Sequence, residues 1–176
     1  MPVIHKNQRV GVFVDVQNLY YSAKNLYKSK VNYKEILKEA INTRQLIRAF
    51  AYVIKADVKD ESNFFDALSN IGYEVRAKDL QIFYGGHKKG DWDVGIAMDI
   101  VKLAPKLDVI VIVSGDGDYV PLVHYAQSAG CRVEAMAFGK SSSSMLREAA
   151  DNFVDLEKQS KRFLITTKTK KPTTKK

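Results

Sequence analysis

The sequence predicts an α/β fold, a mostly parallel sheet between layers of helices. Three observations carry that expectation. The run "VIVIV" from Val109 to Val113 is β-branched throughout, as in strands buried on both faces of a parallel sheet. Such runs alternate with amphipathic stretches at helical spacing, the βαβα order of α/β domains. And "SGDGDYVP" hands a strand to a helix, with Gly115 and Gly117 breaking the strand and Pro121 suited to a first helical turn.

In chain order, "RVGVFVDVQN" reads as a strand, with Val10, Val12, Val14 and Val16 interleaved with Gly11, Phe13 and Asp15. "NLYYSAKNLYKS" follows as a helix, with Leu19, Ala23 and Leu26 at helical spacing. "YKEILKEAIN" is a second helix, with Ile36, Leu37, Ala40 and Ile41 on one face. "QLIRAFAYVIK" is a strand, and "DESNFFDALSNIG" a helix ending at Gly72. "YEVRAKD" and "LQIFYG" read as strands, and "DWDVGIAMDIVKLA" as a helix stopped by Pro105. Next come the "DVIVIVS" strand, the "DYVPLVHYAQSAG" helix and the "CRVEAMAF" strand. A short helix near 142–150 and the "NFVDLE" strand close the series. The expected organisation is one domain over residues 1–160 and a basic, disordered tail over 161–176.

Composition narrows the function classes. The 176 residues suit one domain with a sizeable core. No apolar run approaches the ~18 residues of a membrane span, and "MPVIHKNQRV" lacks the apolar core of a signal peptide, so a cytoplasmic protein is expected. Cys131 is the sole cysteine, which excludes an intrachain disulfide. Its setting in "CRVEAMAF" suits a core strand better than a reactive thiol. The net charge of +8 favours polyanionic partners. No Gly-x-Gly-x-x-Gly follows the first strand and no Walker A pattern occurs, so nucleotide cofactors of those kinds are not expected. "VSGDG" is not a serine-nucleophile elbow. His5, His87 and His124 show no ligand spacing.

Acids remain. Asp15 ends an apolar strand, where it either caps the next helix or serves a site. Asn18, three residues on, can hydrogen-bond a carboxylate or phosphate. Asp93 opens a helix, a position that acids favour. It shares its side with Ile96, Ala97, Ile100 and Ala104, so it points toward the sheet. Asp99, on another side of that helix, reads as more solvated. Asp116 and Asp118 follow the "VIVIV" strand. All four of Asp15, Asp93, Asp116 and Asp118 fall at the sheet edge where α/β proteins bind ligands. Carboxylates crowded there repel unless a cation or proton offsets them, and hard divalent cations such as Mg²⁺ or Mn²⁺ take carboxylate oxygens.

The segments "VFVDVQNLYY", "KKGDWDVGIAMDIVKLA", "VIVIVSGDGDYVPLV" and "GKSSSSMLREAADNFVDL" resemble the NYN domains of the LabA-like (DUF88) group, within the PIN-like nuclease superfamily. The resemblance covers about residues 8 to 157. It implies a PIN-like fold, a Rossmann-like three-layer α/β/α sandwich, and metal-dependent RNA cleavage, with Asp15, Asp93, Asp116 and Asp118 as the acidic site holding Mg²⁺ or Mn²⁺. Asn18 and Ser114 are its neighbours, and Asp99 also matches a family position. "GDWDV" departs from the pattern, with Asp91 where an apolar residue is usual, so Asp91 competes with Asp93 as ligand. The expected activity is an endoribonuclease acting on RNA, single-stranded by preference, with Lys88, Lys89 and the tail on its backbone. The alternative is a PIN-like binding or regulatory module acting through partners, and self-association into a homo-oligomer is left open.

Overall fold

The structure is a computed structural model describing residues 3–55, 61–86 and 88–166, with Lys88 and Lys89 described in their backbone alone. Its centre is a six-stranded sheet, parallel at every pairing. Strand β1 (Arg9–Asp15) leads into helix α1 (Val16–Tyr27), a two-residue strand β2 (Lys30–Val31) and helix α2 (Tyr33–Ile41). Then come β3 (Gln45–Lys55), α3 (Glu61–Ile71), β4 (Glu74–Asp79) and a small hairpin, β5 (Gln81–Ile82) with β6 (Lys88–Lys89). Helix α4 (Asp93–Leu103) crosses to β7 (Val109–Val113), followed by α5 (Val120–Ser128), β8 (Arg132–Ala137), α6 (Ser144–Ala149) and β9 (Asn152–Asp155). Helix α7 (Ser160–Phe163) and strand β10 (Leu164–Ile165) end the described chain.

The order across the sheet is β4-β3-β1-β7-β8-β9. From β1 the chain builds outward one way through β3 and β4, then returns to β7 and builds the other way. The reversal lies between β1 and β7, which pair directly from Val10 with Val109 to Val14 with Val113. Loops leaving the two strands diverge there and open a crevice at their C-terminal ends. Period-two alternation fills both faces. Val10, Val12, Val14, Val109, Val111 and Val113 pack under α1, α2 and α3, while Phe13, Phe50, Ile110 and Ile112 pack under α4, α5 and α6. All of these ten side chains are buried, each worth about 1.5–3 kcal/mol relative to exposure.

Three expectations are corrected. Residues 161–165 are folded body, not tail. Phe163 is buried in the core, Leu164 pairs with Val31, and the Arg162 guanidinium bonds Glu35 and Glu39 at 2.7 and 2.6 Å. The basic composition of the segment concealed its apolar triplet "FLI". The remainder of the expected tail, residues 167–176, lies outside the described residues. Leu26 does not join Leu19 and Ala23 in the core, but stands exposed at the rim of a cleft. And "LQIFYG" contributes only Gln81 and Ile82 to a strand, in the separate hairpin and not in the main sheet.

Candidate metal centre

A parallel strand delivers its last residue to one edge of the sheet, and the helix that follows starts at that same edge. Asp15 closes β1 and caps α1, its Oδ1 accepting from the Asn18 backbone N–H at 3.2 Å. So the capping role foreseen for it is real, and it leaves Oδ2 for other partners. Asp116 follows β7 and likewise caps the short turn after it, accepting from the Asp118 N–H at 3.0 Å. Asp93 opens α4, which runs back across the sheet toward β7 and therefore starts at the same edge.

Oxygens of Asp93, Asp116 and Asp118 all lie within 4.8 Å of one another. Asp15 is tied to them by Tyr119, whose hydroxyl lies 3.3 Å from Asp15 Oδ2 and 3.1 Å from Asp93 Oδ1. The four acids expected to cluster are thus brought together. Asp118 is exposed, Asp93 and Asp116 are half-buried, and Asp15 is the deepest-set in charge terms. Burial pushes the Asp15 carboxyl up from 3.8 to about 6, with the charge of Asp93 adding to the rise. Asp93 is raised too, by burial first and then by the charges of Asp91, Asp116 and Asp118. Asp91 lines the cleft without joining the close group, to which Asp93 belongs.

The neighbours hold this edge in place. Ser114 is 0% exposed. Its hydroxyl donates to Asp15 Oδ2 at 3.3 Å and accepts from the Asp116 N–H at 3.2 Å. A side chain so enclosed meets the acids and not a substrate, which corrects the substrate-binding role expected of it. Asn18 Oδ1 accepts from the Gly115 N–H at 3.0 Å, stitching α1 to the end of β7, while the residue also lines the cleft. Gly115 has to be glycine for a steric reason. A Cβ there would stand 2.7 Å from the Ser141 carbonyl oxygen and 3.0 Å from Ser142 Cα, both backbone. The Ser143 N–H donates to the Gly115 carbonyl at 2.8 Å, so the serine loop closes directly over the site. Lys88 and Lys89 form β6, and their side chains lie outside the described residues. Asp99 is not the solvated acid expected: it accepts from the Tyr52 hydroxyl at 2.9 Å and sits 3.7 Å from Arg76 Nε. It pins α4 to the sheet at a distance from the cluster.

Tyr119 was missed by sequence reasoning. It sits next to Asp118 and is 2% exposed, and burial with the charges of Asp15 and Asp93 drives its phenol well above the ordinary range. It therefore stays a protonated donor. The available signal was a tyrosine placed immediately after the paired aspartates. Trp92 was missed as well. Its indole N–H donates to the Val53 carbonyl at 2.8 Å, which anchors the approach to Asp93.

The acids open into a cleft of about 480 Å³, lined also by Gln17, Tyr21, Ser22, Asn25 and Ser141. An all-oxygen donor set, with three carboxylates close enough to share one ion, fits Mg²⁺ or Mn²⁺. Residues 9–157 match the NYN domain family. The chain is 28% identical over 159 residues to the Low amplitude and bright protein LabA of Synechococcus elongatus, covering 84% of this chain and 83% of that one. It also resembles the crystal structure of a protein of unknown function from Vibrio parahaemolyticus, at 32% identity and a TM-score of 0.83 over 93% of this chain and all of that one.

Proposed function

This chain belongs to the NYN domain family, and from that premise we propose that it is a metal-dependent endoribonuclease. The observation that carries the reading is the close grouping of Asp93, Asp116 and Asp118 beside Asp15 at the strand-order reversal. Four carboxylates gathered at one edge, with Asp15 and Asp93 raised by burial and by acidic neighbours, are a costly arrangement for a purely structural edge.

Asp93, Asp116 and Asp118 would hold one or two Mg²⁺ or Mn²⁺ ions, with Asp15 completing the set directly or through water. A bound ion supplies a lowered water pKa and charge stabilisation at a phosphoryl oxygen. The chain's own residues do the rest. Tyr119 keeps Asp15 and Asp93 at a fixed separation and supplies a proton between them. Ser114 shares Asp15 Oδ2 with Tyr119, and the Asn18 backbone N–H orients Asp15 through Oδ1. Asp118, the exposed member, faces the entering strand and is placed to orient an attacking water. Asn18 and the serine loop border the cleft through which the phosphate backbone enters, and Lys88 and Lys89 follow on the strand leading to Asp93. No helix among the described residues is long and apolar enough to cross a membrane.

The test is direct. Purified protein incubated with single-stranded RNA and Mn²⁺ or Mg²⁺ should cleave internally, stop with EDTA, and lose at least about a hundredfold in rate as Asp116→Asn. RNA bound without any cleavage, across several sequences and both ions, would refute the nuclease reading in favour of a binding module.

A further inference from the structure

Helix α1 separates two depressions. One is the cleft of the acids. The other is a groove of about 380 Å³ walled by Val53, Ile54, Phe64, Phe65 and Leu80. Gln17 and Tyr21 line both, so they stand on the ridge between the two. On the ridge stand Tyr20 and Tyr21, 47% and 49% exposed. Their rings meet edge to face at 5.3 Å between centroids, and Lys24 Nζ lies 5.6 Å from the Tyr20 centroid. Four tyrosines of the core behave differently. Tyr33, Tyr52, Tyr73 and Tyr119 are buried, each with its hydroxyl bonded to the protein. Two adjacent phenols held half in water, next to an apolar groove, serve no core.

We propose that Tyr20 and Tyr21 form a base-stacking platform that holds an unpaired nucleotide of the RNA strand beside the acidic cleft. The chemistry changes across α1 in the order that one nucleotide requires. Acids stand where the scissile phosphate would lie, aromatic faces come next, and then an apolar groove. Gln17 offers an amide to a base edge at the junction, and Lys24 offers a cation to the next phosphate. Stacking on aromatic rings tolerates any base and needs the base to be splayed from its partner. The platform therefore selects single-stranded or looped RNA over duplex. This inference rests on the nuclease reading for the location of the phosphate, but its binding test does not need turnover.

Binding is read by anisotropy of a fluorescein-labelled decauridylate, in full-length chains carrying Asp116→Asn so that cleavage does not intervene. Replacing both tyrosines by leucine keeps the apolar surface and removes the π faces. It should weaken binding about tenfold or more, while the Tyr20→Phe, Tyr21→Phe double variant stays within about twofold. Annealing the probe to oligoadenylate should cost the tyrosine-bearing chain a similar factor. Melting temperatures of the variants verify folding. If the leucine variant is folded and binds as tightly as its parent, or the duplex binds equally well, the platform is refuted and the ridge belongs to another partner. Tyrosine-dependent binding in a chain whose Asp116 form never cleaves would instead refute the nuclease reading alone.

Discussion

Tyr119 has one proton to give and two carboxylates within reach. It opposes the rise that burial and the charge of Asp93 impose on Asp15, so the hydroxyl stabilises the charged pair. Tyr119→Phe should therefore destabilise the apo protein at about pH 7.5 by roughly 1–3 kcal/mol, the cost of a removed donor to buried acceptors. Saturating Mn²⁺ should recover more of the melting temperature in this variant than in the parent. A variant that melts like the parent without metal would show that the hydroxyl does not hold the pair. Asp116→Asn behaves otherwise, because its remaining amide oxygen still accepts from the Asp118 N–H and keeps the cap.

At the scale of elements, strands and long helices were legible and short tertiary pieces were not. β1, β3, β7 and β8 announce themselves by apolar runs, and Asp15, Asp116 and Asp118 by standing where β1 and β7 stop. What was hidden depends on contacts distant in sequence. Ser114 reads as a ligand-facing hydroxyl until the serine loop closes over it, and Asp99 reads as solvated until Tyr52 and Arg76 arrive from β3 and β4. α7 and β10 were lost in a basic segment because four residues of helix and two of strand carry no usable period. Phe163 gives them their anchor at 1% exposure. Phe163→Ala should lower the unfolding free energy by about 3–5 kcal/mol, measured by urea denaturation, whereas a mobile tail residue would register nothing.

Taken whole, the molecule holds a net charge of +8 around an acidic centre. A carboxyl whose folded value is raised contributes stability that is complete below its ordinary 3.8 and is lost as pH climbs through about 6. For Asp15 the loss amounts to about 3 kcal/mol. Asp108 and Glu74, both lowered by arginine partners, act in the opposite sense but below this window. Metal-free protein should thus melt at a lower temperature at about pH 7.5 than at about pH 5, with Mn²⁺ closing the gap and Asp15→Asn narrowing it to the share that Asp93 contributes. A profile that is flat in the wild type would overturn the assignment of the strain to Asp15. The strand order has a last consequence, for the newborn chain. β1 finds its partner β7 only after nearly a hundred intervening residues have been made, and the loop that roofs Gly115 comes later still. A ribosome that has released half of this protein has released Asp15 without Asp116 and Asp118. The acidic cluster is assembled only once the body around it is complete, so an unfinished copy carries its acids apart.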